Sequence, residues 1–435
     1  ALTIAGSDSG GGAGIQADLK TFAALGVHGV SVITSLTAQN TRAVRGIFEV
    51  PPEFIAAQFR AVHEDFKIRA AKTGMLSSKE IIKMVAREVG SYLLVVDPVM
   101  VAASGGRLLR EDAVEALAEK LFPKAALVTP NLFEAQVLSG LRIRSTEDMK
   151  KAGKKISKCG CSVLVKGGHL NAADVLYFNK KFYEFRSKKF SYSAHGSGCV
   201  FASAVAAELA KGKNLLEAVG SAKLFITDAI KGAYAPGKGA RVTNPIGEVL
   251  RDSEKFRIIS ELKEAVNEIK KVDEFYKLVP QVGTNIAYAL PDAGDLNEVA
   301  GISGRIIRIK EQVKAIGEVE FGASKHVASI VLAAMKFDPA IRAAMNIRYS
   351  SEALAACRKL RFMISSFSRK EEPRGVSTME WGTVMAIKKL GSVPDIIYDL
   401  GSIRKEPMIR ILGKSPAEVL GKVRLICAKQ RLLSH

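Results

Sequence analysis

The chain is poor in cysteine, in long apolar runs and in acidic residues, and each shortage narrows what it can be. Five cysteines stand among 435 residues, at 159, 161, 199, 357 and 427. That is too few for a disulfide-stapled scaffold. The one close pair, Cys159-Gly160-Cys161, is too tightly spaced for the C-x-x-C of redox or zinc sites, and no second pair completes one. Sparse, odd-numbered cysteine points to a reducing, cytoplasmic setting. No apolar run is long enough to span a bilayer, and the first residues carry no charged-then-apolar leader, so no membrane partner is expected. Acidic residues fall well short of basic ones, 44 against 64, for a net charge of +20. Such a balance raises nucleic-acid binding as a class. The excess, however, is spread over both sides of residue 250. Its densest run, Lys150-Lys151, Lys154-Lys155 and Lys158, alternates with apolar residues at helical spacing, as a solvated face does. No nucleic-acid partner is expected. The same balance suits an enzyme whose ligands are phosphates.

What the chain does have is the composition of globular domains, 48% hydrophobic and 25% charged, at a length that calls for two of them. Apolar strands at Leu2–Ala5, Val30–Thr37, Leu93–Val96, Ala125–Val128 and Ser162–Val165 alternate with helical patterns such as Glu53–Glu64, Glu111–Lys120 and Thr146–Lys158. That alternation predicts an α/β fold, a mostly parallel sheet flanked by helices. Val175–Phe178 and Phe182–Phe185, turning about Asn179-Lys180-Lys181, read as an edge hairpin. The pattern breaks over Lys231–Gly239. A fresh amphipathic helix is expected from near Ile258, so the boundary is placed at 255, giving domains 1–255 and 256–435. The second, smaller part is again α/β, with helices over Ile258–Tyr276, Glu352–Leu360 and Trp381–Lys389, strands near Ile347 and Ile396–Tyr398, and a long polar loop over Ser365–Gly375.

Ligands of such sheets sit beyond the carboxyl ends of the strands, and the suggestive residues fall there. His195-Gly196-Ser197-Gly198-Cys199 leads into the apolar run Val200–Ala207. A glycine turn feeding a helix leaves unpaired backbone N–H groups that, with the helix dipole, suit a phosphate. Cys199 in the same field is expected to lean toward thiolate. The stretch also fits a plain helix start with a buried structural cysteine. Asp97 ends one strand. Asn131 and Glu134, at i and i+3, follow another and offer hard oxygens for a largely water-held Mg²⁺, or a helix cap, or both. Lys166 ends a third strand, with Gly167, Gly168 and His169 after it. Asp18 and Gln39 lie near the first two strands' ligand edge. Gln39 can pair side by side with a ring nitrogen and an amino group, or be a turn residue. Met75 is a soft wall for a flat ring or simply core. In the second part, Arg305 suits bidentate phosphate binding, and Ser324-Lys325-His326 at a helix start adds donors for another anion. His326 also fits a plain histidine at a helix start.

Taken in order, Ala5 to Lys20, Thr37-Ala38-Gln39-Asn40-Thr41, Lys72-Thr73-Gly74-Met75-Leu76, Val96-Asp97-Pro98-Val99, Thr129-Pro130-Asn131-Leu132-x-Glu134-Ala135, Val165 to His169 and His195 to Cys199 resemble the hydroxymethylpyrimidine and hydroxymethylpyrimidine-phosphate kinases of thiamine biosynthesis, which have the ribokinase-like fold. The resemblance covers residues 1–250, with Ser197 where that family usually has Thr. A cysteine at 199, where most ribokinase-like sugar kinases carry Asp, resembles the pyrimidine kinase branch. Residues 256–435 resemble the thiamine-phosphate synthase domain found behind such kinases, one that is not the TIM-barrel synthase. Its carriers are Val279–Asn285, Gly301-Ile302-x-Gly304-Arg305, Phe321–His326 and the Ser365–Gly375 loop with Met379-Glu380-Trp381-Gly382.

The resemblance implies an ATP- and Mg²⁺-dependent kinase that phosphorylates 4-amino-5-hydroxymethyl-2-methylpyrimidine and then its monophosphate. A synthase then joins the diphosphate to hydroxyethylthiazole phosphate. It implies Gly196, Ser197 and Gly198 as the phosphate cradle with Cys199 as general base, Gly6, Asp18, Gln39 and Met75 around the pyrimidine, and Lys166, Asn131 and Glu134 at the nucleotide. It places Asp97 and Glu134 near Mg²⁺, and Arg305 and His326 on the synthase substrates' phosphates. A related domain serves elsewhere as a ligand sensor, so the alternative is the same kinase fused to a non-catalytic thiamine-phosphate sensor. Small-molecule substrates and a homo-oligomer are expected.

Overall fold

The computed structural model describes all residues except 102–108, 110, 169, 171–172, 188–189, 374, 376, 403–404 and 434–435. His169 therefore lies outside the described residues. The chain forms two compact units, Ala1–Leu250 and Arg251–His435.

The first unit runs β1 (Leu2–Asp8), α1 (Gly14–Ala24), β2 (Val30–Gln39), β3 (Val44–Glu49), α2 (Pro52–Asp65), β4 (Ala70–Thr73), α3 (Lys79–Glu88), β5 (Leu93–Val96), α4 (Glu111–Ala116), β6 (Leu127–Val128), α5 (Leu132–Ser139), α6 (Thr146–Ile156), β7 (Ser162–Val165), β8 (Ala173–Phe178), β9 (Lys181–Arg186), α7 (Ser197–Ala210) and α8 (Leu215–Lys231). Its nine-stranded sheet has the order β3-β2-β1-β4-β5-β6-β7-β8-β9. From β2 to β7 every neighbour is parallel, and β3, β8 and β9 are antiparallel additions at the edges.

Successive strand residues point to opposite faces, and the short apolar strands feed two cores. Ala71, Leu94, Val96, Val128, Val163 and Val165 pack under α2, α3 and α6, while Ala70, Val95, Leu127 and Leu164 pack under α7 and α8. Every residue of α7 from Val200 to Ala210 is buried; its small side chains let the helix lie close on the sheet. The hairpin β8–β9 turns through Asn179 and Lys180, both at positive φ, as its primed-type turn requires. Strand β4 carries no apolar pattern that marks it, because Lys72 sits in its middle.

The second unit opens within α9 (Gly247–Ile269), from Arg251 on, and contains β10 (Ile286–Ala289), β11 (Val299–Ile302), β12 (Arg305–Ile309), β13 (Gln312–Ile316), β14 (Val319–Phe321), α10 (Lys325–Met335), β15 (Ala343–Arg348), α11 (Ser351–Lys359), β16 (Ile364–Ser366), α12 (Thr378–Leu390), β17 (Ile396–Asp399), β18 (Met408–Gly413) and α13 (Pro416–Leu433). Helix α9 begins at Gly247 rather than near Ile258, because the apolar residues of its first turns, Val249, Leu250 and Phe256, are exposed and form no buried stripe. The sheet order is β14-β11-β10-β15-β18-β17-β16, with β12 and β13 forming a separate hairpin. All neighbours are antiparallel except β16 and β17. Helices α9, α11 and α13 cover one face, α10 and α12 the other. The stretch expected as a loop from Ser365 instead starts inside strand β16. Beyond it, Arg369 clamps Asp399 at the end of β17 with Nε–Oδ1 of 2.6 Å. Among the described residues no helix is long and apolar enough to cross a membrane.

Candidate active sites

Because β1, β2, β4, β5, β6 and β7 run parallel, their carboxyl ends share one edge of the sheet, and the residues that follow them meet there. After β1 the chain turns through a glycine loop held by Asp8. Its carboxylate accepts hydrogen bonds from the backbone N–H groups of Gly10 (2.8 Å), Gly12 (3.1 Å) and Ala13 (2.8 Å). Burial works to raise the Asp8 pKa, but the His195 ring and these N–H donors together hold it below the usual carboxylate range. His195 Nε2 lies 3.3 Å from Asp8 Oδ2 and 3.2 Å from Gln39 Nε2, so the end of β2 joins the same cluster.

The loop before α7 interlocks with this one. Gly196, the N-cap of α7, has φ +84, and a Cβ there would fall 1.9 Å from the Gly12 carbonyl oxygen. No side chain caps α7, so its first N–H groups are left for a ligand. Gly198 keeps the next space open: a Cβ on it would lie 3.2 Å from Lys166 Nζ and 3.5 Å from Asp97 Oδ2.

Lys166, just past β7, donates to Asp97 Oδ1 at 2.7 Å, and Thr129 Oγ1 donates to the same oxygen at 3.1 Å. Glu134 and Asn131 form a capping box on α5: Glu134 N–H donates to Asn131 Oδ1 at 2.9 Å, and Asn131 N–H donates to Glu134 Oε2 at 2.8 Å. Their capping role is thus present in the structure. Glu134 is 3% exposed. Burial pushes its carboxyl up to about 7, Lys166 pulls it down, and Asp97 adds to the rise. Burial alone would lower Lys166, but Asp97 and Glu134 beside it raise its pKa.

Gly6 and Met75 meet at the floor of the same edge, where a Cβ on Gly6 would stand 3.2 Å from Met75 Sδ and 2.7 Å from Ser35 Oγ. Two expectations are corrected here. Asp18 does not reach the pocket: it is fully buried and accepts from Thr3 Oγ1 (2.6 Å), Ser203 Oγ (2.7 Å) and Lys72 Nζ (2.9 and 3.0 Å). Nor does the start of α7 leave Cys199 a thiolate. Burial pushes the thiol up to about 11, and Lys72 opposes the rise without overcoming it. Three participants escaped sequence reading: Asp8, His195 as a partner of Gln39, and buried Lys72. The Asp-x-Gly spacing at Asp8 is a turn signal that could have marked the first.

In the second unit, Arg305 opens strand β12, and its guanidinium donates to the Val282 carbonyl. His326 lies exposed in the first turn of α10, whose N-cap Ser324 has φ +55 and makes no side-chain cap. The two sit on different elements, and among the described residues no hydrogen bond or ion pair joins them. Around them Asn285 ties the strands together, donating to Ile302 and Gly304 carbonyls at 2.8 and 2.9 Å.

Residues 8–244 match the family model described as phosphomethylpyrimidine kinase, and residues 261–425 the one described as thiamine-phosphate synthase ThiN. The bifunctional thiamine biosynthesis protein ThiDN of Methanocaldococcus jannaschii is 40% identical over 430 residues, 98% of this chain and 97% of that protein. The hydroxymethylpyrimidine/phosphomethylpyrimidine kinase of Aquifex aeolicus is 44% identical over 250 residues, 56% of this chain and 98% of that one. Among solved structures, an ADP complex of Bacillus subtilis pyridoxal kinase is 39% identical, covers 57% of this chain and 98% of its own, and has a TM-score of 0.54. The first unit thus has the ribokinase-like fold, and the full-length relative supports a synthase, not a sensor, in the second. The chain belongs to the bifunctional thiamine-biosynthesis family in which a hydroxymethylpyrimidine/phosphomethylpyrimidine kinase is joined to a thiamine-phosphate synthase.

Proposed function

We propose that the kinase unit transfers the γ-phosphoryl group of ATP twice, and that the sheet edge bearing Lys166, Asp97 and the open start of α7 is where it does so. The observation that carries this reading is the gap left by Gly198, 3.2 Å from Lys166 Nζ and 3.5 Å from Asp97 Oδ2 at an uncapped helix N-terminus. In the first transfer the hydroxymethyl oxygen of 4-amino-5-hydroxymethyl-2-methylpyrimidine attacks the γ-phosphorus. The new O–P bond forms as the bond to ADP breaks, and ADP leaves with that electron pair. The hydroxyl proton goes to Cys199 Sγ in the fraction of enzyme in which that sulfur has already lost its own proton to solvent, leaving a neutral thiol. The N–H groups from Gly196 to Cys199 cradle the moving phosphoryl group, and Lys166, fixed by Asp97, faces the phosphate charge. Gln39 reads the aminopyrimidine edge over a floor of Gly6 and Met75. In the second transfer the nucleophile is a phosphate oxygen that is already anionic, so the base matters less. The relative crystallised with ADP supports ATP as donor.

A divalent cation fits beside these residues. Asp97 Oδ2 faces the opening at Gly198, and burial, with Asp97 adding to it, raises the Glu134 carboxyl pKa in a way that a nearby cation relieves. Among the described residues no group of three or more His, Cys, Asp or Glu gathers to enclose a metal. That suits Mg²⁺ held largely by water and substrate phosphates, with Asp97 and Glu134 as the protein's share and Asn131 orienting Glu134. When bound it neutralises phosphate charge.

In the second unit, Arg305 and His326, with Lys325, hold the phosphates of the pyrimidine diphosphate and of hydroxyethylthiazole phosphate while the thiazole nitrogen displaces pyrophosphate. The enzyme works in the cytoplasm on small-molecule substrates.

Cys199→Ala separates the two phosphorylations. The first falls by ~10²–10⁴, the range of a general base, and the second by much less. Because the thiol sits near 11, the thiolate fraction rises with pH, so the first transfer in the native enzyme speeds up with pH more steeply than the second. Equal losses in both transfers would contradict the assignment.

A further inference from the structure

Directly behind Cys199 lies a charged network that the mechanism above leaves idle. Lys72, in the middle of β4, is fully buried and donates to both oxygens of Asp18 on α1, at 3.0 and 2.9 Å. Asp18 also accepts from Thr3 on β1 and from Ser203 on α7. Ser203 stands four residues after Cys199, one turn on, so both side chains lie on the same face of α7. The pair is therefore fixed from four elements on the side of the helix that Cys199 occupies. A Cβ on Gly74 would fall 2.8 Å from Lys72 Nζ; glycine there leaves the ammonium its place. Desolvating a lysine and an aspartate together contributes little stability over well-packed apolar side chains, so the pair asks for another role.

We propose that Lys72 is a positioning residue for the first phosphorylation, its locked ammonium supplying the positive charge against which the Cys199 sulfur carries negative charge as it takes the substrate's proton. This rests on reading Cys199 as the base. The charged groups that face the sulfur are Lys72 on β4 and Lys166 after β7, which favour the thiolate, and Asp18 on α1 and Asp97 after β5, which oppose it. The Gly14 N–H at the start of α1 also bonds to the sulfur, and Lys72 acts on it more strongly than any other of these groups. The Asp18 contact keeps Lys72 charged despite its burial.

The test is the alkylation rate of Cys199 by iodoacetamide in the full-length enzyme, at one mildly alkaline pH, with the modified cysteine identified by peptide mass. Lys72→Met is the direct variant. Lys72→Met/Asp18→Asn removes both buried charges; its amide keeps an acceptor oxygen for one of the Thr3 and Ser203 hydroxyls and offers the other an N–H that a rotated hydroxyl accepts, so it is the variant suited to fold. With native circular dichroism, Lys72→Met should react at Cys199 about tenfold or more slowly, the change that one unit of thiol pKa brings, while the double variant, which also loses the opposing Asp18 charge, should be slowed by less. The first phosphorylation should then lose kcat with little change in pyrimidine KM, and the second should be largely spared. A folded variant whose Cys199 reacts at the native rate overturns the proposal, as does loss of the fold in both variants, which would make the pair purely structural. Retention of the first phosphorylation by Cys199→Ala removes the base reading instead, while the alkylation rates still report whether Lys72 charges the sulfur.

Discussion

Glu134 carries a pH signal that a single substitution can isolate. Burial lifts its carboxyl to about 7, against the pull of Lys166 and with the help of Asp97. Its folded pKa thus stands above the unfolded value of about 4.3. A group raised in this way contributes stability that is complete below its unfolded pKa and is lost as pH rises through the folded one. The kinase unit should therefore lose stability as pH rises from ~4.5 to ~7, the window between the unfolded and folded values of this group. Glu134→Gln keeps an oxygen to accept the Asn131 N–H but cannot titrate. Urea melts across that range should show the variant's midpoint flatter with pH than the native enzyme's. Parallel profiles would mean that Glu134 is ionised throughout. By the same argument Mg²⁺ and a nucleotide should bind more tightly above neutrality, where Glu134 is charged.

At the scale of elements, the site depends on two loops that occupy each other's space. The loop after β1 and the one before α7 meet where Gly196 faces the Gly12 carbonyl, and a Cβ would stand 1.9 Å from that oxygen with φ at +84. Both obstacles are backbone, so nothing can swing aside. Left-handed φ alone costs an alanine ~1–2 kcal/mol, and the contact adds to it. Gly196→Ala should therefore abolish both phosphorylations and lower the kinase unit's denaturation midpoint. Gly220→Ala, inside α8 and meeting only Phe185 at 3.6 Å, should leave stability equal or slightly higher. Equal behaviour of the two variants would sink the interlocked-loop account. These elements also show what could be read from the chain. Apolar runs and cap residues gave away α5, α7, β5, β7 and the β8–β9 hairpin, since each rests on local pattern. Strand β4 escaped because its central lysine is paired with Asp18 across 54 positions, a partnership invisible along the chain. The start of α9 escaped because its first turns bury almost nothing. Cys199 was misread for a related reason: the helix field is local and legible, while the burial that outweighs it belongs to the packed fold.

At the scale of the whole molecule, each unit has its own sheet and its own pair of cores, and the proposed residues divide cleanly between them. Gln39, Asp97, Lys166 and Cys199 lie before residue 250, Arg305 and His326 after it. Consecutive reactions on one chain should then be separable by substitution in either unit. Losing one charge-assisted contact to a phosphate costs ~1.5–3 kcal/mol, enough to slow one half without touching the other. The most direct measurement supplies the full-length enzyme with ATP, Mg²⁺, the hydroxymethylpyrimidine and hydroxyethylthiazole phosphate, and follows every phosphorylated product over time in the native protein and in Arg305→Ala. The native enzyme should make thiamine phosphate, while Arg305→Ala should make it at least tenfold more slowly and accumulate the pyrimidine diphosphate at the native rate. Native protein that stops at the diphosphate, or an Arg305→Ala enzyme that makes thiamine phosphate as fast as the native one, would contradict the account.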